Sequence, residues 1–166
     1  IFLTETNNKI MSISGNLTFG KQEKLCAKRA IDRLFVGGNS RSVVAFPIRL
    51  VYMPVEREQD ESLLKVLVTV SKKHFKHAVD RNRTKRLLRE AWRLHRNEIL
   101  KLLRLKQTGG LDVALIWLDD KLWTAKDVDN RMSLLLKRLS DKLSEQLTHA
   151  NKANVSTDVS DKDVML

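Results

Sequence analysis

Residues 80–96 read DRNRTKRLLREAWRLHR, and this stretch narrows the possible folds more than any other. Seven of its seventeen residues are arginine or lysine. Arg81, Lys85, Arg89 and Arg93 recur at i+4 steps as one ladder, flanked by Arg83 and Arg86. Like charges at that spacing oppose a helix by about 0.2–0.5 kcal/mol per pair. Leu87, Leu88, Ala91, Trp92, Ile99, Leu102 and Leu103 form the opposing stripe, and burying one large apolar side chain contributes about 1.5–3 kcal/mol. The stripe wins if a second layer exists to receive it. Such a chain must lay this helix on an apolar support and leave its cations outside.

The support is present as three β-branched, aromatic or apolar runs. SVVAFPIRLVYMPV (42–55), LLKVLVTVS (63–71) and LDVALIWL (111–118) all read as strand. Pro47 cannot donate to a ladder, so the first run lies at an edge or breaks into two short strands. The second run is apolar enough to be buried on both faces. A first helix begins in GKQEKLCAKRAIDRLF (20–35), with Leu25, Ile31, Leu34 and Phe35 on one side, and GGNS (37–40) ends it. The basic helix is expected over 79–105 with Asp80 as N-cap. A last amphipathic helix is expected over 124–147, Thr124 capping it three residues before Asp127.

The fold class that follows is α+β, a two-layer sandwich in the order helix–strands–helix–strand–helix. A strand–helix–strand unit such as 63–118 ordinarily crosses over right-handedly. Residues 20–147 make one domain, between a loosely ordered segment 1–19 and a flexible polar tail 148–166. Met11 is a candidate start of translation.

The charge bears on partners. Lys72 to Lys106 holds thirteen Lys/Arg against three acids, a net +10 of the chain's +11, leaving +1 for the other 131 residues. A merely solvated face intersperses acids, whereas 81–96 contains Glu90 alone. Such a surface seeks a polyanion. A membrane role is disfavoured: no apolar run reaches the roughly 20 residues of a span, and the helix's apolar face is needed by the sheet. Lys72, Lys73 and Lys76 follow the second strand and fall beside the helix's first turn, where free N–H groups and the dipole favour phosphate. Arg81, Asn82 and Arg83 at that turn can grip phosphate or base edges. The single cysteine, Cys26, allows no intrachain disulfide and suits a reducing, intracellular setting.

Catalytic and metal constellations are not evident. His74 and His77 are three apart on a basic loop, Cys26 and Asp119–Asp120 are not at ligand spacing, and Trp117 and Trp123 read as core.

VSKK at a strand end, followed by KHAVDRNRTKRLLREAW (76–92), resembles the bacterial ribonuclease P protein component, whose signature is an Arg-Asn-Arg helix. The resemblance runs from about Lys24 to Leu147. It implies a cytoplasmic accessory subunit that pairs with a catalytic RNA and removes 5′ leaders from precursor tRNA, with Mg²⁺ held mainly by the RNA. It implies no catalytic residue on this chain, no membrane and no obligate protein partner. It also implies a left-handed crossover, against the usual hand. Carried over residue by residue, the catalytic-RNA side comprises Arg81, Asn82, Arg83, Lys85, Arg86 and Arg89, together with Lys72, Lys73 and Lys76. The leader cleft between first helix and sheet falls on Ile31, Phe35, Phe46 and Arg49; plain core is the alternative for the two phenylalanines. Two departures stand out: Ile31 replaces an aromatic, and HFKHAVD (74–80) takes the place of a glycine-bearing turn one residue shorter. The competing readings are a structural RNA-binding protein, ribosomal or of an assembly, and a DNA-binding module with 80–96 as recognition helix.

Overall fold

The computed structural model describes residues 19–105 and 109–155. A 3₁₀ turn, Lys21–Glu23, precedes helix α1 (Lys28–Val36) and a hairpin of β1 (Arg41–Ala45) and β2 (Ile48–Val55). Strand β3 (Leu64–Thr69), helices α2 (Ala78–His95) and α3 (Asn97–Leu105), strand β4 (Gly110–Trp117) and helix α4 (Ala125–Val155) follow. The α+β class and the element order are as expected.

The four strands form one sheet in the order β1-β2-β4-β3. Strand β2 is antiparallel to both neighbours, while β3 and β4 are parallel and joined through α2 and α3. Central β4 is covered on both faces, and all of its residues except half-buried Ile116 are buried; hence its nearly unbroken apolar run. One face carries the main core, where Leu50, Tyr52, Val113, Leu115 and Trp117 meet Leu88 and Trp92 of α2 and Met132, Leu135 and Leu139 of α4. Helix α1 packs on the other face, where Ala30 and Leu34 meet Val51 and Ala114.

Several boundaries differ from the expectation. Pro47 breaks the first run, one of the two outcomes expected of it: β1 and β2 are separate strands joined at a cis Phe46–Pro47 bond. Strand β3 lies at an edge, so only Leu64 and Val66 are buried within it and the rest is half-buried, not covered on both faces. The first helix starts at Lys28 rather than near Gly20, because Leu25 is drawn to the edge of β3. There its N–H bonds the Val66 carbonyl at 3.0 Å, and the side chain is buried outside the helix it was assigned to. Gly38, at φ +72°, supplies the left-handed residue that ends α1.

The single basic helix expected over 79–105 is two, interrupted at Arg96. Its guanidinium is 3% exposed and bonded to Glu23 beside the N-terminal turn. Asp80 is not the N-cap. His77 precedes the first helical residue and Asp80 lies inside the first turn, where its charge still suits the positive dipole end. Thr124 caps α4 as expected, its hydroxyl accepting from the Asp127 N–H at 3.2 Å and donating to the Asp127 carboxylate at 2.7 Å. With no glycine or proline to stop it, the α4 backbone continues past Leu147 to Val155. Residues 156–166 of the expected tail and 1–18 of the expected N-terminal segment lie outside the described residues.

Candidate nucleic-acid interface

Helix α2 divides its sides by burial. Thr84, Leu88, Ala91 and Trp92 face the core, and Leu87 packs against it from the flank. Turned outward are Asn82, Arg83, Arg86 and Arg89, all exposed, with Lys85 half-buried between them. None of these four cations is paired with a carboxylate among the described residues.

The expected four-step ladder is free only in its middle. Arg81 donates from Nη1 to the carbonyls of Phe75 and Lys76, at 2.8 Å each. It staples the preceding loop to the helix start; a guanidinium, all donors, suits paired carbonyls. Arg93 is held by Glu90, Nε to Oε2 at 3.0 Å, and that bond keeps the Glu90 carboxyl below the ordinary glutamate range. The phosphate-ready surface therefore runs over 82–89, shorter than the sequence suggested.

Lys72, Lys73 and Lys76 are exposed in the loop that enters α2, as expected. No side chain caps the helix N-terminus, so its first-turn amides lie beside these lysines, an arrangement suited to anions. The two histidines part company: His74 Nδ1 lies 2.6 Å from Asp120 Oδ1, while His77 occupies the N-cap position. Asp119 and Asp120 make the strand-to-helix turn. Asp119 accepts the Trp123 indole N–H at 2.7 Å, which holds its carboxyl below the usual aspartate value. Trp117 is core as expected, but Trp123 is only half-buried.

On the opposite face, α1 sets its buried Leu34 against the sheet and leaves Ile31 half-buried and Phe35 46% exposed. Arg49 is exposed on β2, in register between Val44 and Ile116; directly paired residues share a face, so it stands on the α1 side. The structure thus brings Ile31, Phe35 and Arg49 to one face. Phe46 stands apart at the hairpin turn, 53% exposed, with its ring edge-on to Trp123 at 6.2 Å between centroids. Neither phenylalanine is plain core. A hollow of about 160 Å³ at the outer edge of β3 adjoins Phe19, Lys24, Cys26, Leu67 and Arg89, and so links the segment entering α1 with the basic helix.

Sequence reasoning missed the ties that fix this geometry. His74–Asp120, Arg96–Glu23 and Arg57–Asp112 each join residues 46 or more apart in the chain. Asp112, buried in β4, has its carboxyl pushed up by burial, against the opposing pull of the Arg57 guanidinium. An aspartate within an apolar strand was the one available signal. Among the described residues no three His, Cys, Asp or Glu side chains gather as a metal site would need, and no helix is long and apolar enough to cross a membrane.

Known proteins share both sequence and shape. The family model for ribonuclease P matches residues 19–140. The ribonuclease P protein component of Porphyromonas gingivalis is 34% identical over 125 residues, covering 74% of this chain and 88% of the relative. That of Chlorobaculum tepidum is 43% identical over 77 residues, 46% of this chain and 49% of the relative. The solved ribonuclease P protein of Staphylococcus aureus superposes with a TM-score of 0.52 at 19% identity, over 70% of this chain and 94% of that one. Resting on these matches, the chain belongs to the family of bacterial ribonuclease P protein components, which serve in tRNA processing.

Proposed function

We propose that this chain is the accessory subunit that docks on the catalytic RNA of ribonuclease P and holds the 5′ leader of precursor tRNA while the RNA cleaves it. The observation that carries the reading is the row Arg83, Lys85, Arg86 and Arg89, free of carboxylate partners among the described residues on a helix whose other side is clamped into the core. Each phosphate contact there would release counterions, so affinity should fall steeply with salt. The leader crosses the α1 face, where exposed Phe35 offers a stacking surface and Arg49 a cation. Stacking on an aromatic contributes about 1–3 kcal/mol per base and tolerates any sequence, as a processor of many precursors requires. The reading assigns Mg²⁺ and the activated water to the RNA partner and routes no step through a metal on this chain.

Precursor tRNA incubated at low Mg²⁺ with the protein, the catalytic RNA, or both tests this. Protein should be inactive alone and should raise cleavage by the RNA. Activity from protein alone, or no stimulation, would overturn the assignment. Phe35→Ala should weaken binding of leader-bearing precursor more than of mature tRNA; equal losses would remove Phe35 from the leader path.

A further inference from the structure

The loop Ser71–His77 carries three exposed lysines and, unlike the turn this family's motif leads one to expect, contains no glycine. It is nevertheless held at several points. The N–H groups of His74 and Phe75 bond the Ser71 carbonyl at 3.2 and 3.3 Å, and that of Lys73 bonds the Ser71 hydroxyl at 3.1 Å. Phe75 is 6% exposed and plugs into the main core. Arg81 binds the last two carbonyls before His77 from the helix side. His74 reaches the other way, across to Asp120 in the β4–α4 turn.

Asp120 is the odd member of this group. Its side chain is 77% exposed, tied to a loop that carries the exposed Lys72, Lys73 and Lys76, and a bare carboxylate repels a polyanion. It is also well fixed: its own N–H bonds the Asp119 side chain at 2.7 Å, and Asp119 is in turn gripped by Trp123. A carboxylate can only accept, so the 2.6 Å contact requires a proton on His74 Nδ1. We propose that Asp120, acting through His74, is a positioning residue for RNA binding: the pair fixes the backbone between Lys73 and Phe75, and with it the directions in which Lys72, Lys73 and Lys76 meet a phosphodiester chain. This rests on the RNA-binding reading above. In place of a glycine turn, this chain uses a side-chain tie between two loops 46 residues apart.

The test exploits a difference in sign. If Asp120 were only a surface charge, removing it would tighten RNA binding. If it positions the loop, Asp120→Ala should weaken binding of a ribonuclease P RNA transcript about three- to tenfold at fixed salt, the scale of one surface hydrogen bond lost. Asp120→Asn, whose amide oxygen still accepts from Nδ1–H, should bind at least as well as wild type. His74→Ala should match Asp120→Ala, and the double variant should be no worse than either single. Hydrogen exchange at 72–76 should quicken in Asp120→Ala and not in Asp120→Asn. Tighter binding by Asp120→Ala, or equal losses in the alanine and asparagine variants, would overturn the proposal. An unchanged affinity in Lys72→Ala/Lys73→Ala would instead overturn the reading of this loop as an RNA contact, whatever Asp120 does.

Discussion

The two ends of helix α2 are alike in composition and opposite in use. Over 83–89 the cations Arg83, Lys85, Arg86 and Arg89 have no carboxylate partner among the described residues. Over 93–96 both arginines are engaged, Arg93 with Glu90 and Arg96 with Glu23, and between them His95 Nε2 lies 2.7 Å from Asp129 Oδ1. Glu90 sits on the helix itself, while Glu23 arrives from the N-terminal turn and Asp129 from α4. Charge density alone does not tell a binding surface from a structural clamp; what counts is which acids the tertiary fold carries within reach. The window's net +10 overstates what is left for a ligand.

The sharpest way to break this contrast is to cut the most buried tie. Arg96→Ala removes a guanidinium that is 3% exposed and leaves Glu23, itself 21% exposed, with the Gly20 N–H at 3.1 Å. The expected loss is about 2–4 kcal/mol, at the lower end for a broken buried pair because Glu23 keeps some water. Urea unfolding measures it, and a change under about 0.5 kcal/mol, the size of an ordinary surface substitution, would show the pair to be ornamental. Arg83→Ala, Arg86→Ala and Arg89→Ala should behave in the reverse sense. Each should leave stability within about 0.5 kcal/mol while flattening the slope of log K against log salt by about 0.7–0.9. Arg81→Ala should flatten it less, since Arg81 is already engaged by two carbonyls. Equal slope changes at 81 and 83 would mean that the staple opens when RNA binds.

How far the sequence led depends on the range of the interaction concerned. Periodicity located the strands, the buried stripe Leu88–Ala91–Trp92 and the Thr124 cap, because each is decided within a turn or two of chain. The free cations were legible only in part: Lys85 and Arg89 have no acid at i±3 or i±4, whereas Arg83 has Asp80 and Arg86 has Glu90 at such a step, and the fold leaves both unpaired among the described residues. What failed was non-local. LLKVLVTVS is apolar enough for a central strand, yet the crossover through α2 and α3 lands it at the edge. Leu25 fits a helical stripe, yet a ladder bond to Val66 takes it out of the helix. Arg96, where the helix is interrupted, finds its partner in Glu23, 73 residues upstream. Phe46, placed with the α1 face by motif matching, is turned toward Trp123 by a hairpin whose register no local pattern encodes.

The exposed tie in the second half offers the mildest test of the contrast, and its sign is fixed by the Glu90 carboxyl. The hydrogen bond from Arg93 comes first among the causes that hold this group below its usual 4.5, burial opposing. A depressed carboxylate contributes stability that is in force above the unfolded value and disappears as pH falls through the folded one. The window is therefore the acid side of 4.5, where wild type should give up this contribution as Glu90 protonates. Arg93→Ala should move the Glu90 titration, followed by NMR, upward toward the ordinary range and remove that part of the acid-limb dependence. A Glu90 titration unmoved in the variant would mean that the pair is a contact without consequence. The two halves of α2 would then differ only through the buried Arg96 and the His95–Asp129 bond.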